Sequence, residues 1–138
     1  MSAPPAPVGP ARSATVPRIG MLVARALIAF VFLYEGWIKL VSYSLAEAYM
    51  RQFSLPPLLL PGAIALELLA GLAILTGFGV RYAALALSAF CIVTAAVFHG
   101  RLTVTNELLH FQKDLAIAGG LLALAITDWQ QKRARGDG

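Results

Sequence analysis

Residues 58–77 read LLLPGAIALELLAGLAILTG, a nearly unbroken apolar run. At about 20 residues it is long enough to cross the hydrocarbon core of a bilayer. One carboxylate, Glu67, sits at its middle. A carboxylate that deep in lipid is costly, so residues of this kind face a bundle interior and meet a partner there. The run therefore demands both a membrane and companion helices.

The rest of the chain supplies them. Apolar residues make up 59% of the 138, and charged residues 13%, roughly half the share usual in soluble domains. A soluble chain this short has too little interior to hide so much apolar surface. Three further apolar runs fall at about residues 19–41, 81–98 and 108–126. With residues 58–77 they predict an all-α integral membrane four-helix bundle over residues 19–127. Residues 1–18, rich in Pro, Ala and Ser, read as a disordered tail, and residues 128–138 as a basic C-terminal tail. The first run contains Arg25 and offers no small-residue cleavage site near Tyr34, Glu35 and Gly36, so it reads as a retained span and not as a signal peptide.

Between the first two runs, Leu45, Ala48, Tyr49 and Phe53 recur at near-helical spacing with Glu47 and Arg51 among them. That pattern predicts a short helix lying in the membrane interface. Pro61 falls in the first turn of the second span, where a missing N–H costs least. Ala63, Ala70, Gly71 and Gly77 offer small surfaces for close helix approach. Phe78, Gly79 and Val80 form a tight turn, which makes the second and third spans an antiparallel hairpin. In the third span, Ser88, Cys91 and Thr94 are expected to bond within their own helix. Cys91 is the only cysteine, which excludes an intramolecular disulfide, and it reads as a small packing residue.

Four spans bring both termini and the turn at residues 77–81 to one side. That side collects Arg12, Arg18, Arg81, Lys132, Arg133 and Arg135, against Lys39, Arg51, Arg101 and Lys113 on the other. The excess predicts cytoplasmic termini. Basic residues that flank apolar runs, instead of clustering on one polar face, exclude a nucleic-acid binder.

This topology groups polar residues that are far apart in the chain. Lys39 ends the first span, His99 ends the third, and Lys113 begins the fourth, all toward the outer face, with Glu67 deeper. The expected site is a funnel floored by Glu67 and walled by Lys39, His99 and Lys113. A buried carboxylate holds a proton or pairs with a cation. Lys39 and Lys113 are the candidate partners, and Arg25 is the alternative from the inner side. Arg25 and Lys39 can share one helix face, and Glu35 and Lys39 are spaced i,i+4 in the favourable order. The competing reading is that these cations snorkel to the interfaces and that any ion pair only fixes helix registry. His99 and His110 lie near span ends, 11 positions apart, with no second ligand at metal spacing. No metal site is expected, and no nucleophile-and-base pattern or phosphate loop is present.

Taken together, these residues resemble the DoxX family of small four-span membrane proteins. The likeness runs from Arg25 to Ile126. It rests on Arg25, Gly36 and Lys39 in ARALIAFVFLYEGWIKL, and on Glu67, Gly71, Gly77 and Arg81 in LELLAGLAILTGFGVR. It continues through FHG at residues 98–100 and Lys113, Gly119 and Gly120 in HFQKDLAIAGGLL. The family usually carries an amide after that lysine; here Asp114 adds a charge that could neutralise Lys113. Gly36, Gly71, Gly77, Gly119 and Gly120 are the expected helix-packing positions.

The resemblance implies a four-helix membrane bundle and a link to respiratory or redox chemistry. Some members are similar to small subunits of quinol- or thiosulfate-linked oxidoreductases, and others associate with enzymes that handle oxidative stress. It assigns no catalytic residue here. The leading expectation is a membrane subunit or accessory protein of a redox complex in the bacterial inner membrane, with Glu67, Lys39 and Lys113 contacting quinone or relaying protons. Quinone is the one candidate cofactor, and a redox-enzyme subunit or a second copy of the chain the candidate partner. A non-enzymatic scaffold or assembly factor is the alternative, followed by small-solute transport, for which four short helices leave little room and no inverted repeat is evident.

Overall fold

A computed structural model describes residues 15–98 and 105–136 of the chain. It contains five helices: α1 (Thr15–Val41), α2 (Tyr43–Gln52), α3 (Leu59–Thr76), α4 (Val80–Phe98) and α5 (Thr105–Arg135). Among the described residues there is no strand. Four of the five, all but α2, are long and apolar enough to cross a membrane. The expected interfacial helix is α2.

Local chemistry explains most of the boundaries. Pro17 lies in the first turn of α1 and Pro61 in that of α3, where the first N–H groups have no intrahelical acceptor. At the end of α2 the Leu55 N–H donates to the Met50 carbonyl at 3.2 Å and the Ser54 N–H to Arg51 at 3.0 Å. This is a Schellman cap, with Ser54 at the left-handed position (φ 56°) and Leu55 packed against the cluster that holds Met50. Gly77 ends α3 with φ 91°, its N–H donating to the Ala73 carbonyl at 2.9 Å. α4 begins three residues later, at Val80, which gives the tight α3–α4 hairpin.

α5 is longer than the expected fourth span: it continues as helix through residues 128–135, which the sequence pattern assigns to a tail. No Gly or Pro lies between Gly120 and Gly136 (φ 79°), Lys132 pairs with Asp128 at 3.3 Å one turn away, and the Arg133 guanidinium lies over the Trp129 ring. Pairs at this spacing extend a helix that has already nucleated inside the bundle. At the other end, α1 begins at Thr15, four residues before the expected span. Residues 1–14 of the expected tail lie outside the described residues.

The main core joins all four long helices. Ala29 and Phe32 of α1 and Ala70 and Ile74 of α3 meet Ala84, Leu87 and Cys91 of α4, and Ala118, Leu121 and Leu124 of α5. α1 packs on α3, α3 on α4 and α4 on α5. A smaller cluster lies where α2 folds back: Met50 of α2 packs on Leu60 and Ile64 of α3. Tyr49 stacks on Phe98, and Phe53 meets the same ring edge-on. Outside these clusters large apolar side chains such as Phe30, Leu69 and Tyr82 point outward, the arrangement expected where the solvent is lipid.

Candidate functional site

On α1 the residues Arg25, Ala29, Phe32, Gly36 and Lys39 fall at alternating spacings of four and three, which puts them on one stripe. That stripe faces α3. Gly36 and Gly71 bring the two helices close: a Cβ at Gly36 would stand 2.9 Å from Leu68 Cδ2 and 3.3 Å from Glu67 Cβ. One at Gly71 would stand 3.1 Å from Leu33 Cγ. The approach places Glu67 against the C-terminal turns of α1. Its side chain is only 4% exposed, and Lys39 Nζ donates to Glu67 Oε1 at 2.9 Å.

Lys39 has a second partner. Its ammonium also donates to Glu35 Oε2 at 3.2 Å, and the Glu35 side chain is 55% exposed. The three groups form a continuous ionic chain from the bundle interior to its surface. The other oxygen of the buried carboxylate, Glu67 Oε2, is enclosed and has no hydrogen-bond partner among the described residues. A buried polar atom left in this state costs free energy. The site thus offers one acceptor in use and one unused, with an adjacent ammonium able to donate to either.

Arg25 sits at the opposite end of the same stripe. Its Nε donates to the Ile74 carbonyl at 2.7 Å and its Nη2 to the Leu75 carbonyl at 3.0 Å. These carbonyls belong to the last turn of α3, where no intrahelical N–H reaches them and where the helix dipole favours a cation. A Cβ on Gly77 would stand 2.6 Å from Arg25 Nη2, so Gly77 is needed both for its left-handed backbone and for the room the guanidinium takes. Beside this cap a cavity of about 30 Å³ is lined by Arg25, Asp128 and Gln131, among others. Arg25 therefore binds α3 carbonyls and not Glu67.

Lys113 also lies apart from Glu67. Its ammonium is 3.4 Å from His110 Nδ1, and it lines a groove of about 380 Å³ between α1 and α5 together with Leu27, Ile28, Val31, Ala116, Ile117 and Gly120. His99, the remaining wall of the expected funnel, lies outside the described residues. A Cβ at Gly119 or Gly120 would meet nothing within 4 Å, unlike one at Gly36, Gly71 or Gly77. Ser88 departs from expectation in the other direction: instead of bonding within α4, its hydroxyl donates to the Ala118 carbonyl of α5 at 3.1 Å. Thr94 does bond within its helix, to the Phe90 and Cys91 carbonyls. Glu35 is the member of the polar chain that the sequence-derived site omits. Its i,i+4 spacing to Lys39 was the available signal.

The comparisons agree with this architecture. The family model described as DoxX matches residues 20–100, which takes in α1 through α4 with both Lys39 and Glu67. The Inner membrane protein YqjF of Escherichia coli (strain K12) is 42% identical over 109 residues, covering 79% of this chain and 84% of that protein. The Inner membrane protein YphA of the same organism is 29% identical over 114 residues, covering 78% and 81%. No solved structure matches. With the family model spanning more than half of the chain, and a relative of this identity covering most of it, the chain belongs to the DoxX family.

Proposed function

We propose that this chain is a multi-pass inner-membrane subunit or accessory protein of a respiratory or redox complex, in which Glu67 and Lys39 handle a proton or hold a polar headgroup. The observation that carries this reading is the unpartnered Glu67 Oε2 at the buried end of the Glu67–Lys39–Glu35 chain. A carboxylate kept for packing alone gains from satisfying both oxygens. One left open is suited to accept a proton or a hydrogen bond from a visiting group. The Lys39 ammonium can pass a proton to Glu67 and regain one on the Glu35 side, which is the exposed end. If a quinone is the group, Glu67 and Lys39 are the residues that would meet its carbonyl. The inner-membrane location rests on the likeness to two inner membrane proteins, and cytoplasmic termini rest on the distribution of Lys and Arg.

The test is purification from native membranes in mild detergent, with mass spectrometry of co-purifying proteins and extracted quinones, for the native chain and Glu67→Gln. A stoichiometric redox enzyme, with quinone retained by the native chain and lost from the variant, is the expected result. A redox partner without quinone leaves proton relay or docking as the role. Recovery of the chain alone contradicts the subunit reading.

A scaffold or assembly role is the second reading, and a separate observation favours it. The charges that form the polar chain also tie α1 to α3 at one end, while Arg25 ties them at the other. Paired charges of this kind can serve registry alone. On that reading Glu67→Gln lowers stability in detergent, and a variant repacked at the α1–α3 contact restores the native phenotype without restoring the carboxylate.

A further inference from the structure

The seam between α1 and α5 is loose. Close packing runs from α1 to α3, from α3 to α4 and from α4 to α5, and a groove of about 380 Å³ separates α1 from α5. Near the α3–α4 turn lies the smaller cavity of about 30 Å³, lined by Met21 and Arg25 of α1, Val80 of α4, and Leu124, Asp128 and Gln131 of α5. Three helices meet at this one small space, and two of its lining side chains carry opposite charges.

Both charged groups have hydrogen-bonding capacity left. A guanidinium has five N–H donors, and Arg25 uses Nε on the Ile74 carbonyl and Nη2 on the Leu75 carbonyl. Its Nη1 hydrogens are not needed there. Asp128 Oδ2 is enclosed and accepts no hydrogen bond from the described residues. The Lys132 ammonium stands 3.3 Å from it, near enough for charge attraction but not aligned to donate. An enclosed carboxylate oxygen in that state costs free energy. Among the described residues no direct bond joins Arg25 to Asp128, although both line the cavity.

We infer that this cavity binds an ordered water, which accepts from the Arg25 guanidinium, donates to Asp128 Oδ2 and so clasps α1 to α5. Holding a water takes roughly 10–15 Å³ of space and two to four polar partners. This cavity offers about 30 Å³ and the Arg25, Asp128 and Gln131 side chains. A monovalent cation is the poorer occupant, because the guanidinium lining the same space repels it. Arg25 also holds the last carbonyls of α3, so the clasp ties α5 to α1 and α3 together. It lies about 21 Å along α1 from the Lys39–Glu67 lock, 14 residues at 1.5 Å each, and does not depend on the function proposed for that lock.

The test is a crystal structure of the full chain grown from lipid, at a resolution that shows ordered water, for the native protein, Asp128→Asn and Asp128→Leu. A peak within about 3.2 Å of both an Arg25 nitrogen and Asp128 Oδ2 is expected. Asp128→Asn, whose amide oxygen still accepts, should keep it, and Asp128→Leu should lose it. In solution, spin labels at Leu22→Cys and Ile126→Cys, both exposed positions, read the width of the seam in a Cys91→Ser background. The native and Asp128→Asn chains should give the same narrow distance distribution, and Asp128→Leu a broader one. An empty cavity, or a direct Arg25–Asp128 bond that closes it, overturns the proposal. So does a peak that becomes an anomalous scatterer in rubidium, which would make a cation the ligand. An unchanged distance distribution in Asp128→Leu overturns the clasp. The native map decides the water even if Asp128→Leu fails to fold.

Discussion

The two tightest helix pairs in the molecule are held by different means. α4 and α5 meet through Ala84, Leu87, Cys91, Ala118, Leu121 and Leu124, with the Ser88 hydroxyl donating to the Ala118 carbonyl between them. α1 and α3 meet through two glycine contacts bracketed by two charged locks, Lys39 on Glu67 and Arg25 on the last carbonyls of α3. In lipid, apolar side chains gain little by leaving the solvent, so association depends on close packing and polar bonds. The α4–α5 contact uses mainly the first. The α1–α3 contact uses both and can slide in neither direction without breaking an ionic or carbonyl bond. Register is therefore fixed most firmly beside Glu67.

The largest effect should come from removing the cation. Lys39→Met leaves the Glu67 carboxylate buried and uncompensated, and should cost on the order of 3 kcal/mol in detergent thermal unfolding. Replacing both residues with apolar ones of similar volume should recover most of that loss; failure to recover it would mean that Lys39 acts through more than charge. Next come the glycines. Gly77→Ala forces a side chain into a left-handed position and against Arg25, at about 2 kcal/mol. Gly36→Ala and Gly71→Ala should each destabilise by about 1 kcal/mol after the gain in helix propensity is subtracted. Gly119→Ala and Gly120→Ala meet no neighbour and should leave the melting temperature unchanged or raise it. Equal effects at all these glycines would erase the distinction between the two helix pairs.

Ser88→Ala probes the other pair and should cost about 0.6 kcal/mol, the average for a hydrogen bond between membrane helices. A larger loss than that of Gly36→Ala would reverse the comparison. A small, pH-dependent effect lies in α2. Burial, and then the nearby Glu107 carboxylate, raise the Tyr49 phenol above its ordinary value. The unfolded chain then loses this proton first, so Tyr49 contributes stability that begins to fall as pH rises through about 10, the ordinary tyrosine value. Ultraviolet titration of tyrosinate, native against Tyr49→Phe, should show the absent component titrating later than the rest.

Four spans, the interfacial helix and the hairpin at Gly77 were legible in the sequence because each depends on local signals: run length, amphipathic spacing and a glycine turn. Glu67 as the polar centre was legible for the same reason. Its partner was less so. Lys39, Lys113 and Arg25 were all chemically suitable, and choosing among them requires knowing which helix faces touch. A clue was present, since Gly36 lies on the same stripe as Lys39 and Gly71 lies one turn from Glu67. Small surfaces on both helices mark where they approach. Lys113 lacks such a counterpart and turns instead to the groove beside α1. The extension of α5 to Arg135 was obscured by its charge, which reads as a tail until i,i+4 pairing is weighed.

The most direct test of the site is Glu67→Gln, with redox-linked activity in native membranes and thermal stability in detergent measured on the same preparation. Glutamine keeps the shape and can still accept from Lys39, but it cannot carry a proton. A proton-handling Glu67 predicts an inserted, folded variant that has lost the activity. Full activity in a variant whose melting temperature has fallen would contradict that role and leave the Glu67–Lys39 pair as a brace between α1 and α3.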